Sequence, residues 1–149
     1  MRSFLLLFAL LSTSPAAELA LHGSWAGAKA ELPANVTVVL AMYDRNGTCC
    51  GGPAAALAGL GNLRLAMKDR SDVRIVAIDV TAGATVQQAT AAALLHQTDG
   101  IPLLVDGGRA TAKALAVELD MTMTYVIRKA DGTHDVVHSP NLVKKQLVR

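Results

Sequence analysis

Residues 36–60 read VTVVLAMYDRNGTCCGGPAAALAGL, and the succession of residue types within them decides the fold. Val36 to Tyr43 is an apolar, β-branched run of strand length. It breaks at Asp44 to Gly47, and Cys49 and Cys50 follow at once. Gly51 and Gly52 supply a flexible turn, and Pro53 suits the first position of a helix. Leu57, Leu60, Leu63 and Met67 then recur at helical spacing, so a strand, a cysteine turn and a helix come in succession. A thiol at such a junction faces unpaired N–H groups and the positive end of the helix dipole, and both favour the thiolate.

These two cysteines are the only ones among 149 residues. Their adjacency restricts what they do. Consecutive Cα atoms lie about 3.8 Å apart across a trans peptide, short of the roughly 4.4–6.8 Å usual between bridged cysteines. A bond between neighbours is therefore strained and easily reduced, and a stabilising staple is the role the pair suits least.

The N-terminus has export character. Arg2 gives a positive start, Phe4 to Leu11 an apolar stretch, and Ser14-Pro-Ala16 a small-residue cleavage site. The apolar stretch is shorter than the roughly 20 residues a bilayer span needs. The reading is a leader over residues 1–16 and a single mature domain over residues 17–149. That domain is exported to a periplasm or secreted, and does not span a membrane after cleavage. Exported proteins usually pair their cysteines structurally; here adjacency points instead to a reactive thiol or an external partner.

Composition narrows the functional classes. Formal net charge is +2, with no Lys/Arg stripe. Both phenylalanines fall in the leader, leaving Trp25, Tyr43 and Tyr125 as the mature aromatics. Neither a stacking platform nor a phosphate-tracking groove is available, which argues against nucleic acid as a partner.

Around the opening segment the rest of the chain alternates. Ser24 to Leu32 reads as a short helix capped by Ser24. Val73 to Val80 is a nearly continuous apolar strand, as expected when both faces are covered. A helix from about Ala84 to His96 follows, then a strand over Ile101 to Val105. The turn Asp106-Gly-Gly108 leads into a helix burying Ala112, Leu115, Ala116 and Leu119. Met123 to Arg128 and Thr133 to His138 form a hairpin across Ala130-Asp131-Gly132. Pro140 opens a last helix with Leu142 and Leu147 facing inward. Helices alternating with strands and closing on a hairpin predict a mixed sheet with helices on both faces.

This order, carried by VVLAMY (38–43), VRIVAIDV (73–80), IPLLVDGGRATAKALAVEL (101–119) and TYVIRKADGT (124–133), resembles the thioredoxin-like redoxin superfamily. Within it the likeness is greatest to peroxiredoxins and to exported thiol reductases related to thioredoxin. The resemblance implies an α/β thioredoxin-like fold and a thiol-dependent oxidoreductase. Its substrate would be a peroxide or a protein or small-molecule disulfide, renewed by an external thiol reductant, with no cofactor. Cys49 and Cys50 fall where such proteins carry their reactive cysteine. Cys50, nearest the helix start, takes the attacking role and Cys49 the resolving or auxiliary one. Thr48 and the N–H groups of Gly51 and Gly52 stand as hydrogen-bond donors to a thiolate or bound peroxide. Two departures are plain: Pro53 stands where a C-x-x-C motif has its second cysteine, and Thr122 replaces the proline that precedes the hairpin strand. A soft-metal (copper) carrier using the vicinal thiolates and a non-catalytic interaction module are the alternative readings.

Other polar residues read more simply. His134 and His138 lie on one face of a strand about 13 Å apart, too far for one metal ion, and are exposed hairpin residues. His22 precedes the core and His96 ends a helix. Asp79 and Asp106 satisfy backbone N–H groups at a strand end and a turn. Arg70 to Arg74 is a solvated loop, and Trp25 anchors the N-terminal segment by packing.

Overall fold

The computed structural model describes residues 19–119 and 121–148; the leader assigned to residues 1–16 lies outside them. Six strands form one sheet: β1 (Ser24–Trp25), β2 (Thr37–Tyr43), β3 (Val73–Asp79), β4 (Leu103–Val105), β5 (Met123–Arg128) and β6 (His134–Val137). Their order across the sheet is β1-β4-β3-β2-β5-β6. β2, β3 and β4 run parallel, whereas β1, β5 and β6 each pair antiparallel to their neighbour. The helices are α1 (Gly52–Met67), α2 (Val86–Leu95), α3 (Ala110–Ala114) and α4 (Pro140–Leu147).

Strand alternation sorts the core into two layers. On β2, Val39, Ala41 and Tyr43 join Leu57, Leu60 and Leu63 of α1, Ala89 and Ala93 of α2, and Val143 of α4. Val38, Leu40 and Met42 face the other way, onto Ala112 of α3 and the N-terminal segment with Leu19, Leu21 and Trp25. β2 is thus buried on both faces, which is why its sequence is apolar throughout rather than alternating. The expected mixed sheet, covered on both sides, is the architecture observed.

Four local expectations are corrected. Ser24 to Leu32 is not a helix; Ser24 and Trp25 pair with Val105 and Leu104 as an edge strand. Gly23, with φ +134°, packs against the carbonyl of Val105, where no Cβ fits. α3 stops at Ala114, and Ala116 is exposed at φ 53° instead of buried. Leu142 is 47% exposed; Val143 is the buried residue of α4. The strand predicted from Ile101 begins at Leu103, although Ile101 remains in the core.

Candidate functional site

The cysteines occupy a single 3-10 turn, Cys49–Gly51, between β2 and α1. They are joined to each other by a disulfide, with Cα atoms 3.8 Å apart. Three successive residues hold positive φ: Cys50 (60°), Gly51 (90°) and Gly52 (75°). Glycine adopts that region freely, whereas at Cys50 it costs roughly 1–2 kcal/mol. The turn therefore depends on Gly51-Gly52 to carry most of the reversal and leaves the one strained non-glycine position at Cys50. Pro53 lies in the first turn of α1 as expected, and no acidic residue stands there to offset the positive helix end.

Cys50 is exposed and Cys49 half-buried, so the two sulfurs are not equivalent. Cys49 is held from two directions. Its carbonyl accepts a hydrogen bond from Thr122 Oγ1 (2.8 Å) and another from the Gly52 N–H. Its Sγ lies 3.8 Å from Sδ of Met121. Thr122 in turn is locked to the loop: the Asp44 N–H donates to its carbonyl at 3.0 Å, and Gly47 packs on its Cα and Oγ1. Thr122 thus stands directly against the cysteine turn. Thr48 precedes the turn, is exposed, and makes no capping hydrogen bond. In this bonded state the Gly52 N–H is occupied by Cys49 and is not free to serve a sulfur.

Beside the pair opens a cleft of about 180 Å³. Its walls are Ala55, Ala56 and Gly59 of α1, then Met121 to Met123 and Tyr125, and finally His138 to Pro140. Tyr125 is 1% exposed, its hydroxyl oxygen has no hydrogen-bond partner among the described residues, and burial pushes its phenol pKa up. An unpaired buried hydroxyl costs about 1–3 kcal/mol. His138, expected as an exposed hairpin residue, is exposed and also lines this cleft; its Nδ1 is 3.4 Å from Thr124 Oγ1. Tyr125, His138 and the two methionines are the site residues that sequence patterning missed. The available signal was register: β5 pairs with β2 so that Met123 opposes Tyr43, which carries residues 121 and 122 to the cysteine turn.

The other polar candidates serve the scaffold. Asp79, fully buried, accepts from Arg45 Nε at 2.7 Å and from the Thr81 N–H at 3.0 Å. Asp106 caps α3 through the N–H groups of Ala110 and Thr111. His22 pairs its backbone with Thr111 Oγ1 and so belongs to the fold. Among the described residues no three His, Cys, Asp or Glu side chains gather as a metal-holding group, and no helix is long and apolar enough to cross a membrane.

No protein-family model matches the chain, and no curated protein matches it in sequence. Solved structures do match. A secreted disulfide oxidoreductase of Mycobacterium tuberculosis, homologous to E. coli DsbE, superposes with a TM-score of 0.58 at 18% identity, over 76% of this chain and 81% of that one. M. tuberculosis DsbF gives 0.60 at 14% identity, over 76% and 80%. A thioredoxin-like protein of Parabacteroides distasonis gives 0.59 at 12% identity, over 89% and 93%. The class is thereby defined: the chain has the thioredoxin-like fold. At the turn into α1 it carries a bonded pair of adjacent cysteines.

Proposed function

We propose that this chain is an exported thiol–disulfide oxidoreductase whose Cys49–Cys50 pair is the two-electron couple. The observation that carries the reading is the bonded pair itself, placed at the start of α1 with Cys50 exposed beside a cleft. The thiol-disulfide oxidoreductases among the structural neighbours support it. Residues 1–16 are the export leader and 17–149 the mature domain, in keeping with the secreted M. tuberculosis neighbour.

In the reduced form the Cys50 thiolate attacks one sulfur of a substrate disulfide. The substrate S–S bond breaks, and its leaving thiolate takes a proton from solvent. The Cys49 thiol gives up its proton and attacks Cys50 Sγ, breaking the mixed disulfide and releasing the second substrate thiolate. The second substrate thiolate takes up the proton that Cys49 released, so the substrate has gained two electrons and two protons; the pair has lost two electrons, the Cys49 proton and the proton that Cys50 shed to solvent on ionising, and is again the disulfide. An external dithiol restores it by the reverse sequence. The α1 terminus lowers the cost of the Cys50 thiolate, and Thr48 is assigned as an auxiliary donor to it. A peroxide would reach the same end state by a different path. Attack on the O–O bond gives Cys50 sulfenic acid and water, and condensation with the Cys49 thiol gives the disulfide and a second water.

The test is the pH dependence of iodoacetamide alkylation of the reduced mature protein, resolved by cysteine in a mass spectrometer. Cys50 should show a midpoint well below the free-thiol value of about 8.5. Cys50→Ser should abolish exchange in a folded protein, and assays with a disulfide and with hydrogen peroxide separate the two reactions. Thiols that resist alkylation until the chain unfolds would overturn the redox reading in favour of a non-catalytic module.

A further inference from the structure

Sδ of Met121 lies 3.8 Å from Cys49 Sγ, a contact that thiol–disulfide exchange does not use. The chain on either side holds the two sulfurs together. Thr122 Oγ1 donates to the Cys49 carbonyl at 2.8 Å, and the Asp44 N–H donates to the Thr122 carbonyl at 3.0 Å. The residue after Met121 is thus tied both to the cysteine turn and to the loop before it. Met121 is half-buried, and it lines the same open cleft as the pair. A thioether so placed meets whatever oxidant enters that cleft, and methionine takes up one oxygen to become the sulfoxide.

The other methionines differ in one respect or the other. Met42 is 1% exposed and Met123 6%, so both are shielded from solvent. Met67 is half-buried like Met121 but closes α1, whose first turn adjoins the cysteines. A rise of 1.5 Å per residue puts it about 20 Å from the pair. Met121 combines access with a cysteine sulfur in contact; Met67 has the access without the cysteine.

We propose that Met121 is an oxidation site that the cysteine pair repairs, by an intramolecular methionine sulfoxide reduction. A peroxide transfers one oxygen to Met121 Sδ and departs as water or an alcohol. In the reduced pair the Cys49 thiolate attacks Sδ. A sulfur–sulfur bond forms, the S–O bond breaks, and the oxygen takes up two protons and leaves as water. The Cys50 thiolate then attacks Cys49 Sγ, the Cys49–Met121 bond breaks, and its electron pair returns to the thioether. Met121 has gained two electrons, the pair has lost two and is the disulfide, and the two protons consumed match the two that the thiols released. Cys49 attacks here because its sulfur is the one against Met121, so the two cysteines exchange the roles they take with a disulfide substrate. Near-attack geometry needs reacting atoms about 3–3.5 Å apart, and 3.8 Å separates these before any movement. The inference rests on the redox reading above, since it uses the same pair and the same external dithiol to renew it.

The experiment starts from the mature protein in its disulfide form, treated with hydrogen peroxide until Met121 and Met67 both carry an oxygen. The peroxide is removed, dithiothreitol is added to reduce the pair, and the two methionine peptides are followed by mass spectrometry. The sulfoxide on Met121 should disappear at least about tenfold faster than that on Met67, the advantage of a nucleophile held in place. In Cys49→Ser, with folding confirmed by circular dichroism, both sulfoxides should persist equally. Equal persistence in a wild type that still reduces bis(2-hydroxyethyl) disulfide would overturn the repair and leave exchange standing. Faster loss at Met121 in the Cys49→Ser variant would overturn it as well. A wild type inert toward that disulfide would instead remove the redox reading, and the repair with it.

Discussion

Replacing Gly47 with alanine should displace the loop that carries the cysteines. A Cβ at that position would lie 2.7 Å from Thr122 Oγ1, 3.0 Å from Thr122 Cα and 3.1 Å from the Asp44 carbonyl. Two of those three atoms are backbone, so rotating the Thr122 side chain cannot relieve the contact. Separations must grow by several tenths of an ångström, and overpacking of this kind costs about 1–3 kcal/mol. The shift also pulls Thr122 Oγ1 from the Cys49 carbonyl, now 2.8 Å away, at about 1 kcal/mol more. The sum, about 2–4 kcal/mol, corresponds to a Tm lower by roughly 8–15 °C for a domain of this size. Circular-dichroism melts of the oxidised protein would measure it. A double variant with Thr122→Ala should recover part of the loss, because one of the three clashing atoms and the strained hydrogen bond are both gone. A Gly47→Ala protein melting within 2 °C of wild type would refute the claim that Thr122 clamps the cysteine loop.

Two other expectations concern charge. Arg45→Ala leaves the fully buried Asp79 with only the Thr81 N–H as partner; urea unfolding should show a loss of about 3 kcal/mol, and an unchanged midpoint would contradict that pairing. On the surface, the hydrogen-bonded Arg70 guanidinium holds the Asp72 carboxyl at about 2, below its ordinary 3.8. Because the folded value is depressed, the stabilisation is complete above the unfolded value and fades as pH falls through about 2. An NMR titration should place the Asp72 midpoint there, and Arg70→Gln should return it toward 3.8.

Legibility in the sequence followed the size of the physical signal. β2, the cysteine turn and α1 could be read because residue type changes abruptly at each boundary and Gly51, Gly52 and Pro53 act locally. α3 was read too long because its stop is conformational. Ala116 takes the left-handed position, and the N–H groups of Ala116 and Val117 return to the carbonyls of Lys113 and Ala112. That is a Schellman ending, which glycine usually announces. α2 ends the same way with Gln97 at φ 58°. Ser24 looked like a helix cap, but the open edge of β4 recruited it into a strand, a demand that no local pattern records. In the candidate site, the cysteines were legible from their position and Thr122 from the hairpin order. Tyr125 and His138 were not, because the cleft they line arises from pairing across the sheet.

The walls of that cleft come from residues 49–59, 121–125 and 138–140, and the bond from Thr122 to Cys49 spans 73 positions. The cleft exists only where β5 lies beside β2 and α4 beside α1, so an unfolded chain holds the two cysteines without it. A chain oxidised before folding and one oxidised after it arrive at the same covalent bond, but only the second forms that bond beside a finished cleft.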